Sequence, residues 1–123
     1  MKARLTLAIA ALCAFAAFSA SAALHEDMVA LDRAYIPALA LTNQPKPDAS
    51  KRAMERLRSQ WNAFRTTYAS APAGYAPDAW MAADREVEAA VAAAEKNLAA
   101  GKNLDAHEDL ERVREAQYTL RRG

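Results

Sequence analysis

MERLRSQWNAFRTTY, the stretch from Met54 to Tyr68, decides the fold. Its large apolar residues are Met54, Leu57, Trp61, Phe64 and Tyr68, spaced three, four, three and four. That spacing repeats every seven residues, so all five side chains fall on one stripe of a helix packed along a bundle seam. The residues between them are mostly charged or polar, as a solvated outer face requires. A helix from about Ala49 to Ser70 follows, with Asp48 or Ser50 as its cap.

The same pattern extends in both directions. Upstream, the polar loop Thr42 to Asp48 carries Pro45 and Pro47. Before it, Leu24, Met28, Leu31, Tyr35 and Leu39 mark a helix from about His25 to Leu41. Pro37 lies inside that helix and removes a backbone donor, which predicts a bend near Arg33 and Ala34. Downstream, Ala71 to Ala76 reads as a turn through Pro72 and Gly74. A third helix from about Asp78 to Ala99 puts Trp80, Asp84, Val87, Val91, Ala94 and Leu98 on one face, and Gly101 closes it. The fourth starts at Asn103 or Asp105, ends near Arg122, and shows Leu104, Ala106, Leu110, Val113, Gln117 and Leu120. No alternating Val, Ile or Thr pattern suggests a strand. Short loops make sequential helices antiparallel, so the expected fold is all-α, an antiparallel up-down-up-down four-helix bundle.

The N-terminal stretch, positions 1–23, reads differently. Lys2 and Arg4 precede an apolar run from Leu5 to Phe18, and small residues follow from Ser19 to Ala23. A basic start, a short apolar run and a small-residue end describe a secretory signal peptide, and the run is too short to span a bilayer. Residues 24–123 are then one exported domain, expected in the periplasm. Without Lys2 and Arg4 the chain has 14 basic and 15 acidic residues, and this near-neutral balance disfavours nucleic acid as a partner. Cys13, the only cysteine, leaves with the leader, which removes disulfides and thiol chemistry.

Two segments carry a resemblance. ALHEDMVALDRAY (Ala23 to Tyr35) and GKNLDAHEDLERVREAQYTLRR (Gly101 to Arg122) resemble the first helix and the final Gly-Lys turn and helix of the cytochrome b562 family, soluble periplasmic four-helix bundles that hold one haem. The resemblance implies that Met28 stands where the family has its axial methionine. It places Arg121 and Arg122 with the family's terminal arginines near haem. The family's histidine ligand, near the end of the last helix, falls on Arg121, or on Tyr118 with a shift of three residues. Neither supplies an imidazole. His107 cannot replace it, because it starts the fourth helix and lies about 16 Å along the axis from Tyr118. The chain is therefore expected to be a divergent member without haem.

Three candidate sites follow. A pocket at the bundle end could gather Met28, Asp84, Tyr118 and Arg121, because a carboxylate on a core stripe must pair, face a cavity or stay near the rim. If haem b binds, Met28, Tyr118, Arg121 and Arg122 would surround it, which describes an electron-transfer protein. If the leader is cut after Ala22, the terminus Ala23-Leu24-His25 can wrap an amine, two amides and an imidazole around Cu(II) or Ni(II). HEDLE (His107 to Glu111) reads as a solvated face, and no nucleophile–base pair is legible. The expected function is a noncatalytic binding or accessory module, its ligand an unidentified periplasmic protein or small molecule. It is expected not to span the membrane and to be a monomer or homodimer.

Overall fold

The computed structural model describes residues 2–122, with side chains for residues 20–120. Its elements are α1 (Lys2–Thr42), α2 (Pro47–Thr67), α3 (Pro77–Ala99) and α4 (Asn103–Arg122). α1 packs on α2 and α4, α2 on α3, and α3 on α4, which is the neighbour order of an up-down-up-down bundle. Among the described residues no helix is long and apolar enough to cross a membrane. α1 runs back well past the expected start at His25. The leader reading concerns residues 1–23, of which side chains 1–19 lie outside those described, as do the side chains of Arg121 and Arg122.

The core is the set of faces expected from spacing, with small residues added. Leu31, Tyr35 and Ala38 come from α1, and Ala53, Met54, Leu57 and Trp61 from α2. Val87, Ala90, Val91, Ala94 and Leu98 come from α3, and Ala106, Leu110, Val113 and Ala116 from α4. Tyr35 is buried because its hydroxyl finds an acceptor: it donates to the Leu110 carbonyl of α4 at 2.5 Å. Burial raises its pKa above the ordinary phenol value. Thr42 is buried too, and its Oγ1 donates back to the Ala38 carbonyl at 2.8 Å. No buried side-chain polar atom among the described residues is left without a partner.

Several local expectations need correction. Leu104 does not face the core; it is 65% exposed. It precedes Ala106 by two residues, about 200° around the helix, so the seam that buries Ala106 turns Leu104 outward. The N-cap of α2 is Lys46, not Asp48 or Ser50. Pro47 takes the first helical position, where its missing N–H costs nothing and its φ suits the helix. Ser50 turns inward instead, and its Oγ accepts from Asn103 Nδ2 at 3.3 Å. Pro77 opens α3 in the same way, after Ala76. α1 continues through Pro37 as one helix. Both Pro37 and Arg33, whose carbonyl loses its helical donor, lie on the exposed side, where water can bond that carbonyl.

The α3 terminus follows the sequence signal. Gly101 has φ +78°, its amide donates to the Leu98 carbonyl at 3.0 Å, and the Lys102 amide donates to the Asn97 carbonyl at 2.8 Å. This pair of bonds is a Schellman closure, and its left-handed residue favours glycine. The tight turn brings α4 back against α3.

Candidate functional site

The site lies at the bundle end where α1 passes Met28 and α4 finishes. Its walls come from all four helices. Met28 and Leu31 come from α1, and Gln117 and Leu120 from α4. Trp61, Phe64 and Tyr68 come from the end of α2, and Trp80, Ala83 and Val87 from the start of α3. The heptad of α2 delivers three aromatic rings to this end, and the turn after it adds Tyr75. Phe64 lies at the centre, 4.7 Å from the Tyr68 ring, 6.1 Å from Trp61 and 6.2 Å from Trp80 between centroids. Tyr75 meets Trp80 edge-on at 5.2 Å. These separations are those of favourable offset and edge contacts. Between the rings remains an apolar slot of about 50 Å³.

Trp61, Tyr68 and Trp80 are each fixed by a polar edge. Trp80 Nε1 donates to the Tyr68 carbonyl at 3.0 Å, at the C-terminus of α2. The Tyr68 hydroxyl donates to Asp27 Oδ2 of α1 at 2.6 Å. Burial and this neighbouring carboxylate push its pKa up to about 12. Trp61 Nε1 donates to Glu88 Oε1 at 3.3 Å. The rings therefore tie α1, α2 and α3 together as well as filling space.

A charged ladder borders the slot along the α2–α3 seam. Arg65 makes a two-pronged pair with Asp84, Nε to Oδ1 at 3.0 Å and Nη2 to Oδ2 at 2.9 Å. Its Nη1 donates to Glu88 Oε1 at 2.9 Å, and its guanidinium lies 5.5 Å from the Trp61 ring centroid. Arg58 continues the ladder to Glu88 at 2.6 Å and to Glu95 at 2.5 Å. The side chain of Arg121, which the sequence also offered, lies outside those described, and Asp84 has a cationic partner on α2, Arg65. The sequence held a sign of this. Arg58 and Arg65 are seven apart, as are Glu88 and Glu95, so opposite charges flank one seam.

The Arg58 hydrogen bond holds the Glu88 carboxyl below its ordinary value of 4.5. A depressed carboxyl pKa contributes stability above the unfolded value and loses it as pH falls through the folded value. Glu88→Gln should therefore destabilise the protein most at neutral pH. The gap to the native chain should narrow below about pH 4.5, as urea midpoints at pH 7 and pH 3.5 would show. A gap that widens in acid would contradict the ladder. These groups are partly exposed, so each single pair contributes less than about 1 kcal/mol, and added salt should shrink it further.

The structure brings Met28 and Asp84 into the walls of one slot. Tyr118, 59% exposed, is not among those walls. His107 lies at the opposite end of α4. It is only 18% exposed and is not simply on a solvated face. Its Nδ1 meets the Leu39 carbonyl at 2.7 Å, near the C-terminus of α1, and its Nε2 lies 3.3 Å from Glu111. It therefore caps α1 where helical carbonyls lack partners. Leu24 is buried and His25 exposed, beside the loop residues Pro72, Ala73 and Tyr75. No cluster of three or more His, Cys, Asp or Glu among the described residues could hold a metal ion.

Haem is implied only by the resemblance, and the residues described here do not fit it. The walls of the slot offer one soft donor, Met28, and no imidazole; His25 lines a separate open groove with Met28, one turn earlier on the same helix. The slot's space is about 50 Å³, against roughly 300–1,000 Å³ for ordinary ligand pockets. Phe64, Tyr68 and Trp80 occupy the interior between the helices, held there by the bonds of Trp80 and Tyr68. Compared with protein-family models, curated proteins and solved structures, the chain matches none.

Proposed function

We propose that the chain is an exported, noncatalytic periplasmic binding module on a cytochrome b562-like scaffold, acting through the slot at the Met28 end without haem. The observation that supports this is the slot itself: apolar walls, an aromatic lining with every polar edge already bonded, and an ion ladder along one side. The polar edges of the rings are bonded, and Arg65 and Asp84 at the border of the slot are bonded to each other. A slot of about 50 Å³ suits a single apolar group, such as the end of an alkyl chain or one side chain of a partner protein.

Xenon tests this reading, because it enters small dry apolar cavities. Under xenon pressure, saturable methyl shifts are expected at Met28, Leu31 and Val87, together with quenching of Trp61 and Trp80. Ala83→Leu should fill the slot and abolish both responses while helicity is retained. Uniform weak shifts over the surface, or a saturable response unchanged in Ala83→Leu, would overturn the proposal. Expression with the native leader, followed by intact mass, tests the export reading.

A further inference from the structure

Only one histidine in the chain has a methionine three or four residues away: His25, followed by Met28. Both lie in α1. At that spacing two side chains share one face of a helix, with Cβ atoms about 5–6 Å apart. Long helical side chains lean toward the N-terminus, so Met28 extends back over the turn that carries His25. Both residues line one open groove of about 470 Å³. The loop between α2 and α3 supplies its other wall, through Pro72, Ala73 and Tyr75. His25 is exposed and Met28 partly buried, so an ion arriving from solvent can reach both.

Neither donor is engaged elsewhere. His25 makes no hydrogen bond or ion pair among the described residues. His107 differs, because its two ring nitrogens already meet the Leu39 carbonyl and Glu111. Met28 borders the slot on one side and the groove on the other. The neighbouring carboxylates stay outside the groove. Glu26 and Asp27 lie about 100° and 200° around the helix from His25. Asp27 accepts the Tyr68 hydroxyl, and neither carboxylate lines the groove.

The groove walls therefore offer one imidazole and one thioether, without a carboxylate. That donor set discriminates between ions. Ca²⁺ and Mg²⁺ need several oxygen ligands. Structural zinc takes four donors, mostly thiolate and imidazole. A thioether is a soft ligand that selects Cu(I), and imidazole suits copper as well. We propose that His25 and Met28 form a Cu(I) site, the imidazole nitrogen and the thioether sulfur meeting on one ion in the groove beside Tyr75. Both donors follow position 23, so removal of the leader keeps them. The site differs from the Ala23-Leu24-His25 arrangement, which holds Cu(II) or Ni(II) through an amine and amides and uses no thioether. It does not rest on the slot reading, because the ion sits in the groove.

Titration with Cu(I), supplied anaerobically as its acetonitrile complex and followed by NMR of the methionine methyl groups and histidine rings, tests this. Every chain carries Cys13→Ala, which removes the one thiol. The Met28 methyl and the His25 ring should shift together and saturate at one ion per chain, while Met54 and Met81 stay in place. Changes beyond the ligands alone cost about 10–100-fold in metal affinity, so loss of a donor in His25→Gln or Met28→Leu should weaken binding at least about tenfold. Zn²⁺ should leave the Met28 methyl unmoved. Ala83→Leu, which fills the slot, should leave Cu(I) binding within about threefold of the native affinity, so failure of the slot and failure of this site are separable. Circular dichroism checks that helicity is kept in each variant. Met28 and Met81 shifting alike, or no saturation up to about 1 mM, would overturn the proposal. Binding lost in His25→Gln yet unchanged in Met28→Leu would overturn it too, since a thioether would then have no part in the site.

Discussion

Trp61→Ala should lower the stability of the bundle by about 3–5 kcal/mol, read from urea denaturation at neutral pH. Trp61 is 3% exposed, stacks on Phe64, carries the Arg65 guanidinium over its ring and donates to Glu88. Truncation opens a cavity where three helices meet and removes the Glu88 hydrogen bond as well. Trp61→Phe keeps most of the packing and should cost less than half as much. Leu104→Ala is the control, since an exposed side chain should change stability by less than about 0.5 kcal/mol. A Trp61→Ala loss no larger than that of Leu104→Ala would place the seam on the wrong face of α2.

Ala94→Leu should destabilise by about 1–3 kcal/mol for the opposite reason. Ala94 is fully buried in α3, and Ala90 and Val91 beside it are nearly so. Facing them on α4 are Ala106, Leu110 and Val113, and small residues let these two helices approach closely. An added isobutyl group would have to push α3 from α4 or leave its preferred rotamer. Ala92→Leu, on the exposed side of the same helix, should be close to neutral. Equal effects at positions 92 and 94 would contradict the tight α3–α4 seam.

These substitutions mark what spacing makes readable. The stripes from Leu24 to Leu39, Met54 to Tyr68 and Trp80 to Leu98 all became seam residues, because burial on a helix is governed by its 3.6-residue period. Gly101 was legible because only a residue at ease with positive φ closes that turn cheaply. The cap of α2 was less so, because Pro47 starts that helix through its own ring geometry and displaces the capping polar residues. Leu104 misled because its hydrophobicity alone does not say which side of α4 it occupies.

The candidate site divides the same way. Met28 and Asp84 meet in the walls of one slot because topology fixes which helix ends come together. The pairing of Asp84 with Arg65 depends on reach across the α2–α3 seam. The His107 cap on α1 depends on which carbonyls α1 leaves unpaired at its end. The aromatic cluster was visible residue by residue. Its closure around a slot of about 50 Å³ emerges only when Phe64 and Trp80 are packed against each other. That closure leaves a space far smaller than the haem pocket implied by resemblance.

The most direct measurement is the absorption spectrum, with iron content, of the protein purified from an exporting host supplied with haem. The filled Met28 end predicts a colourless protein, no Soret band above the free-haem background on titration, and no spectral difference between the native chain and Met28→Ala. One haem per chain, with a Soret band that moves in Met28→Ala, would contradict this account at its centre.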